Sequence, residues 1–283
     1  MVIGNPDPMS GPKLDPRIFR EFCELIYQLS GIRLGDGKEA LVASRLAKRL
    51  RALKLPDYRA YLEFVRNDET GEEIVQMLDV ISTNVTSFFR EPQHFEFMRR
   101  ALEECKNAGQ RKYRVWCAAS STGEEPYTIA MTMADVLGFS VDWKILATDI
   151  STRVLKAAQE GVYKQASVGT VPPTLKHRFL EAMPRASKDA PPTFRVAQEL
   201  KDRIVFKRLN LAEPPFPMHG PLDFVFCRNV MIYFDNAIRS GLLNEVVRLL
   251  RPGGYLMVGH SESLTGMLIN LKPVQPSTYV KPG

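Results

Sequence analysis

From residue 112 onward, short apolar stretches alternate with amphipathic ones, and that alternation leaves few folds open. YRVWCAAS (113–120), WKILATD (143–149), IVFKRLNL (204–211), PLDFVFCRN (221–229) and GYLMVGHSE (254–262) read as strands. GEEPYTIAMTMADVLG (123–138), STRVLKAAQEGVY (151–163) and NAIRSGLLNEVVRLLR (236–251) read as helices, and PSTYVKP (276–282) as one more strand. Strands joined through helical crossovers build a mostly parallel sheet covered on both faces, so the expected class is α/β. The alternation lapses over 163–204. There VPPTLKHRFLEAM predicts a short helix and PRASKDAPPT a loop. TFRVAQEL predicts an edge-like strand turning Phe194, Val196 and Leu200 inward. This stretch reads as an insertion in the sheet domain.

Upstream the pattern is helical throughout. PRIFREFCELIYQLSG places Phe19, Phe22, Leu25, Ile26 and Leu29 on one stripe, with Gly31 as its stop. KEALVASRLAKRLRALKL (38–55), DYRAYLEFVRND (57–68) and GEEIVQMLDVIS (71–82) continue it. The expected organisation is a flexible tail over 1–14, a helical domain over 15–90 and a sheet domain over 91–283. No apolar run approaches the roughly 18 residues that a membrane span needs. MVIGNPDPMSGPK has no basic start before an apolar core, so a signal peptide is not expected. The four cysteines and four histidines are scattered, which predicts neither disulfides nor a metal centre and fits a reducing cytoplasm. The net charge of +6 suggests an acidic partner, nucleic acid or protein.

Ligands of open parallel sheets bind at the carboxyl ends of the strands. The loop WCAASSTGEEP (116–126) has one glycine, Gly123, and small residues that allow close approach of a ligand. It departs from GxGxxG, and Glu124 and Glu125 in the first helical turn would repel phosphate. The second strand ends at Asp149, where an acid commonly meets ribose hydroxyls. A nucleoside that carries positive charge and no phosphate fits these features, and S-adenosylmethionine is such a ligand. Taken singly, each acid reads equally well as a helix-start or capping residue. LRPGG (250–254) reads as a turn between helix and strand, and FCRNVMIYF (226–234) puts Arg228 and Asn229 at a strand end with Tyr233 one turn on.

Five segments in order then carry a specific resemblance: STNVTSFFRE (82–91), AASSTGEEPY (118–127), ATDIS (147–151), NL (210–211) and CRNVMIYF (227–234). In these the chain resembles CheR-type chemotaxis receptor methyltransferases over nearly its whole length after residue 15. The resemblance implies a Rossmann-like S-adenosylmethionine-dependent methyltransferase sheet domain behind a small all-helical, receptor-recognising domain, with a small β-subdomain over 163–204. It implies methyl transfer from S-adenosylmethionine to glutamates of transmembrane chemoreceptors, leaving glutamate γ-methyl esters and S-adenosylhomocysteine. The implied cofactor residues are Asn84, Thr86, Arg90, Ala118, Glu124, Asp149, Asn210, Leu211, Arg228 and Asn229, with Glu125 an open alternative to Glu124. Asn84, Thr86 and Arg90 lie on the segment that links the two domains and closes over the cofactor. Arg90 and Tyr233 match the two residues that border the reacting carboxylate.

A glutamate carboxylate is ionised at neutral pH, with a pKa of about 4.3, and needs proximity and orientation rather than a base. Arg45, Lys48, Arg49 and Arg51 of the basic helix read as a solvated face on pattern alone. The resemblance makes them a docking face for the glutamate-rich cytoplasmic helices of receptors. In some members the β-subdomain captures a peptide at the receptor C-terminus. Here PRASKDAPPT has consecutive prolines and no glycine, which argues against that capture. Two other readings stand beside the enzyme. A nucleic-acid methyltransferase would want a proline-rich base-holding element where this chain has RNVMIYF. A non-catalytic adaptor that binds S-adenosyl ligands would not need Arg90 and Tyr233.

Overall fold

The computed structural model describes residues 12–283 except 36, 186, 188, 189 and 268. Most of the expected tail, residues 1–11, lies outside the described residues. The chain forms two compact units, one ending at Thr83 and the other spanning Asn84–Gly283.

The first unit is four helices: α1 (Pro16–Ser30), α2 (Glu39–Leu53), α3 (Tyr58–Arg66) and α4 (Glu72–Ile81). Asp15 starts α1 by accepting the Arg17 N–H at 2.7 Å, and Gly31 ends it in the left-handed region at φ 70°. The apolar stripes meet in a core that includes Phe22, Ile26, Leu46, Tyr61 and Met77. Within this core Glu73 is buried, and it is compensated fully. Its carboxylate accepts Arg49 Nε at 2.8 Å, Arg49 Nη2 at 2.6 Å and the Tyr61 hydroxyl at 2.7 Å. Burial pushes the Tyr61 phenol up, and its bond to Glu73 pushes the same way.

The second unit runs α5 (Gln93–Asn107), β1 (Lys112–Cys117), α6 (Glu124–Leu137), β2 (Asp142–Asp149), α7 (Thr152–Glu160) and β3 (Val162–Lys164). It continues with α8 (Pro173–Phe179), β4 (Leu180–Ala182), β5 (Thr193–Val196), α9 (Gln198–Lys201), β6 (Ile204–Arg208) and β7 (Leu222–Cys227). It closes with α10 (Asn236–Leu249), β8 (Leu250–Val258), β9 (Lys272–Gln275) and β10 (Thr278–Val280). The main sheet has the order β6-β2-β1-β7-β8-β10-β9. The first five strands are parallel, and β10 and β9 add an antiparallel edge. This is the expected α/β class. The order reverses direction between β1 and β7, which opens a crevice at their carboxyl ends. Nearly every residue of α6 is buried, so its sequence is apolar with little periodicity.

The insertion departs from the sequence reading. β5 is the central strand of a three-stranded sheet, β3-β5-β4, rather than an edge. Both partners lie upstream in sequence, one at the start of the insertion and one after α8, and that pairing is invisible in one segment. The chain leaves β5 at Ala197, whose N–H donates to the Phe179 carbonyl, and Leu200 is buried from α9 instead of a strand. LEA at 180–182 is strand β4, where VPPTLKHRFLEAM predicts only helix. LRPGG lies within β8 rather than as a free turn before it. β9, KPVQ, has no expected counterpart. It is a mostly exposed edge strand containing Pro273, a composition that masks its strand character.

The Glu73 cluster generates a stability prediction. Glu73→Ala strands the buried Tyr61 hydroxyl and leaves the partly exposed Arg49 guanidinium without its carboxylate. The expected loss is about 2–4 kcal/mol in urea unfolding, against about 1 kcal/mol for Tyr61→Phe. Equal midpoints for wild type and Glu73→Ala would show that the cluster adds nothing to stability.

Candidate functional site

The crevice is built first from β1 and β2. Trp116 Nε1 donates to Thr148 Oγ1 at 2.9 Å, and that hydroxyl donates to the Ala118 carbonyl at 3.1 Å. This strut fixes the two strand ends from which the loop departs. Ala118 then continues toward β7, its N–H bonding the Phe226 carbonyl, and Ser120 bonds the Thr148 carbonyl. Ser121 adopts a left-handed φ of 46°. Its N–H donates to Asp149 Oδ2 at 2.9 Å, while Oδ1 accepts the Ser151 N–H at 2.9 Å. Asp149 therefore ties the cofactor-type loop to the start of α7.

Gly123 is required where it stands. Its φ is 100°, and an added Cβ would lie 2.6 Å from the Tyr163 hydroxyl and 2.9 Å from Ala158 Cβ. The two acids after it differ sharply. Glu125 is fully committed: Oε1 accepts the Cys117 thiol at 3.2 Å and Oε2 accepts Arg228 Nη1 at 2.6 Å. Glu124 accepts from Thr122 Oγ1, at 2.6 Å on Oε2, and from its own backbone N–H, and its carboxylate has no cationic hydrogen-bond partner among the described residues. Burial raises both carboxyls, and in Glu125 the Arg228 charge opposes the rise. Glu124 is thus the acid with acceptor capacity to offer a ligand.

The other wall is Asn84–Glu91. The Phe89 N–H donates to Thr128 Oγ1 on α6 at 3.2 Å, and the Phe88 carbonyl accepts Thr170 Oγ1 at 2.8 Å. Ser121 Oγ donates to the Asn84 carbonyl at 3.1 Å. Arg90 gives one Nη1 bond, to the Val85 carbonyl at 3.0 Å. Arg228, at 1% side-chain exposure, joins this wall to the sheet. Its Nη2 donates to the Arg90 carbonyl and, at 3.1 Å, to Glu91 Oε2. Burial works to raise the Glu91 carboxyl, but Arg228 and Asn229 outweigh it and hold it below the usual range. Burial and the Arg228 charge lower the His94 imidazole to about 4.

Asn229 sits at φ 58°, donates weakly to Glu91 Oε1 at 3.4 Å and gives its N–H to Glu262 Oε2 at 2.7 Å. Glu262 also takes the Gly259 N–H at 2.7 Å and the Ile232 N–H at 3.3 Å. Gly259 leaves no room for a side chain, since a Cβ would fall 2.5 Å from Asn229 Nδ2. Tyr233 is half-buried on the short turn that follows. Asn210 closes its own turn: Oδ1 accepts the Ala212 N–H at 3.1 Å and Nδ2 donates to Glu213 at 2.7 Å. Leu211 packs beneath it with Trp116 and Ala118.

Buried polar atoms without hydrogen-bond partners here, among the described residues, include Asn84 Nδ2 and Ser120 Oγ, along with Arg228 Nε and both nitrogens of His94. A buried orphan donor and hydroxyl at a strand-end crevice suit a polar ligand. Carboxylates outnumber guanidiniums around them, so the ligand favoured is cationic and not a phosphate. Among the sequence-derived residues, Asn84, Arg90, Ala118, Glu124, Asp149, Arg228 and Asn229 are tied by hydrogen bonds to the strand ends and loops described above, with Asp149, Asn210 and Arg228 bonded to the protein itself, while Thr86 and Tyr233 are both half-buried. Sequence reasoning missed Glu91 and Glu262 as organisers. Both lie inside quoted segments, but the donors they accept from are largely distant in sequence: the Arg228 and Asn229 side chains for Glu91, and the Asn229 and Ile232 N–H groups for Glu262. Arg45 and Arg49 belong to the helical unit's own bonding. Arg45 holds the Ile81 carbonyl and Thr83 Oγ1, and Arg49 holds Glu73, while Lys48 and Arg51 are exposed.

Residues 84–280 match the family described as "CheR methyltransferase, SAM binding domain", and residues 17–82 match "CheR methyltransferase, all-alpha domain". A "Chemotaxis protein methyltransferase" of Salmonella typhimurium is 41% identical over 251 residues, covering 88% of this chain and 85% of that protein. A "Chemotaxis protein methyltransferase 2" of Pseudomonas aeruginosa is 42% identical over 268 residues, covering 92% of this chain and 91% of that protein. No helix among the described residues is long and apolar enough to cross a membrane. The fit of an anionic, phosphate-averse crevice to a cationic nucleoside agrees with the match, and the chain belongs to the CheR methyltransferase family, enzymes whose cofactor is S-adenosylmethionine.

Proposed function

We propose that the enzyme esterifies glutamate side chains of chemoreceptors, and that Arg90 is the group that orients the acceptor. The observation that carries this reading is the Arg90 guanidinium at the crevice wall. It makes one hydrogen bond, to Val85, among the described residues. A guanidinium with donors to spare matches a carboxylate. The buried thiols support the same reading. Burial drives Cys117 and Cys227 well above the usual thiol range, so neither supplies a thiolate nucleophile. A carboxylate acceptor asks for none.

S-adenosylmethionine, when bound, supplies an electrophilic methyl on a positively charged sulfur. Glu124 and Asp149 hold its polar and cationic portions, and Asn84 Nδ2 and Ser120 Oγ complete the polar lining. Ala118 and Thr86 allow close approach. Asn210 contributes through its backbone because its side chain is engaged, and Leu211 supplies an apolar floor. Asn229 borders the reacting end. Arg228 acts at one remove, by fixing Arg90, Glu91 and Glu125. Tyr233 walls the methyl path. Exclusion of water and in-line placement of one carboxylate oxygen then carry the rate. Base-labile release of radiolabelled methyl from purified receptor tests the reaction directly. Label that resists mild base, or that never reaches the receptor, rejects glutamate esterification.

Docking is assigned to the exposed part of α2. Lys48 and Arg51 project to solvent near Leu41, which is 39% exposed. Lys48→Glu/Arg51→Glu should slow methylation of receptor at low salt, with the defect shrinking as salt rises, since exposed charges are screened over about 10 Å at 0.1 M. Cofactor affinity should be unchanged. Wild-type receptor methylation by this variant at low salt removes α2 from the docking surface.

Glu124 gives the cofactor affinity a pH dependence of known sign. Its carboxyl is raised by burial, so protonation on acidification begins at higher pH than for a free glutamate. Affinity for S-adenosylmethionine should therefore fall as pH is lowered through that raised value and be full above it. Glu124→Gln should flatten the limb and weaken binding about tenfold at pH 7. Calorimetric titration from pH 5 to 8 reads both, and an unchanged limb in the variant clears Glu124 of the role.

With cofactor saturating, single-turnover methyl transfer should stay flat near the imidazole pKa of about 6.5, because the acceptor is already ionised. Tyr233→Phe and Arg90→Lys should each slow that step about 10–100-fold, equivalent to about 1.4–2.7 kcal/mol. A rate limb near that pH would mean that an imidazole base is at work, and wild-type rates in both variants would remove the assigned roles.

A further inference from the structure

Glu91 and His94, three residues apart, meet the sequence-distant His260 at the carboxyl end of the sheet. Glu91 and His94 stand at the start of α5, and His260 follows β8 just past Gly259. His94 Nδ1 lies 3.6 Å from Glu91 Oε2, and His260 Nε2 lies 3.9 Å from the same oxygen. The three ligand atoms are all within 4.8 Å of one another. The two rings stand edge to face, with centroids 5.3 Å apart. Both nitrogen–oxygen distances exceed a hydrogen bond.

His94 is fully buried, and neither of its nitrogens has a hydrogen-bond partner among the described residues. A buried imidazole normally has at least one. The surroundings are anionic: along the contacts Glu125–Arg228–Glu91–Asn229–Glu262, three carboxylates face one guanidinium. His260 is half-exposed, so the cluster has an opening to solvent.

We propose that Glu91, His94 and His260 form a binding site for one divalent transition-metal ion, of the class Zn²⁺, Co²⁺ or Ni²⁺. Two imidazoles and a carboxylate are the ligand set these ions favour, whereas Mg²⁺ and Ca²⁺ prefer all-oxygen shells. Metal–ligand bonds of about 2.0–2.2 Å place tetrahedral ligands roughly 3.3–3.6 Å apart. The Glu91–His94 separation already matches, and a modest swing of the half-exposed His260 brings in the third ligand. Water takes the remaining position. Arg228 shares Oε2 of Glu91 at 3.1 Å, so the ion competes with a guanidinium and binds modestly. The proposal concerns the free enzyme and does not depend on which acceptor is methylated.

Tag-free full-length protein is titrated with Co²⁺, followed by visible absorption, and with Zn²⁺ by calorimetry. The chain has four histidines, so His177→Ala/His219→Ala, both exposed, controls for adventitious surface binding. The expected result is one ion per chain with the intense bands of a low-coordinate Co²⁺ site. His260→Ala, a change at a half-exposed side chain, should weaken binding by at least about tenfold while circular dichroism is unchanged. The control variant should bind as wild type. No saturable binding by wild type, equal binding by His260→Ala, or loss in the control variant each overturns the site.

Discussion

The crevice depends on the burial of one guanidinium. Arg228 sits over the Phe95 ring, 5.5 Å from its centroid, and reaches three partners on two separate segments. Those partners are Glu125 at the start of α6, and Glu91 with the adjoining Arg90 carbonyl just before α5. An arginine is suited to this because its fork is planar and always charged. Removing one member of such a pair strands the other charge, at a cost of about 3–5 kcal/mol, whereas an apolar replacement of the whole group could be neutral. The cluster is therefore poor evidence for stability and good evidence for a required geometry. It locks the wall that carries Arg90 against the strand that carries Asn229.

The same guanidinium separates the two acids of the loop. On sequence, Glu124 and Glu125 are equivalent candidates, adjacent in one helical turn. In three dimensions one accepts from Arg228 and a thiol, and the other, among the described residues, only from Thr122 and its own backbone N–H. Burial raises both carboxyls, but only Glu125 has a buried cation to oppose the rise. Glu125 is thereby part of the scaffold, while Glu124 is left without a buried cation to pair with. No property of the residue type could have made that division.

What the sequence carried well was periodic or local. The β-α alternation predicts the parallel sheet, Asp149 falls at a strand end, and Gly123 falls at the one loop position that admits no Cβ. What it missed was set by pairing across distance. The pattern of TFRVAQEL cannot reveal that β3 and β4 flank it, and KPVQ with its proline looks like loop until β10 pairs with it. The basic face of α2 read as one patch, yet Arg49 is held by Glu73 from α4, and Arg45 by the carbonyl that ends α4. Amphipathic spacing marks which side is apolar and is silent about which charges on the other side are already spoken for. The Glu91–His94–His260 cluster is the extreme case, because scattered histidines carry no spacing signal at all.

The backbone around the crevice shows how this geometry is maintained. Phe89, Glu91, Ser121 and Asn229 all adopt left-handed φ between 46° and 58°, and none is glycine. Such residues cost of order 1–3 kcal/mol each and persist only where neighbours over-determine them. Here each has its constraint. Phe89 is held by Thr128, Ser121 by Asp149, Glu91 by Arg228, and Asn229 by Glu262. Three of the four constraints are carboxylates or carboxylate pairs. The acids that make the crevice attractive to a cation are thus largely the groups that hold its backbone out of relaxed conformations. Electrostatics and shape are set by the same atoms, so the donors and acceptors are in place before a ligand arrives. Little reorganisation then remains for the moment of methyl transfer.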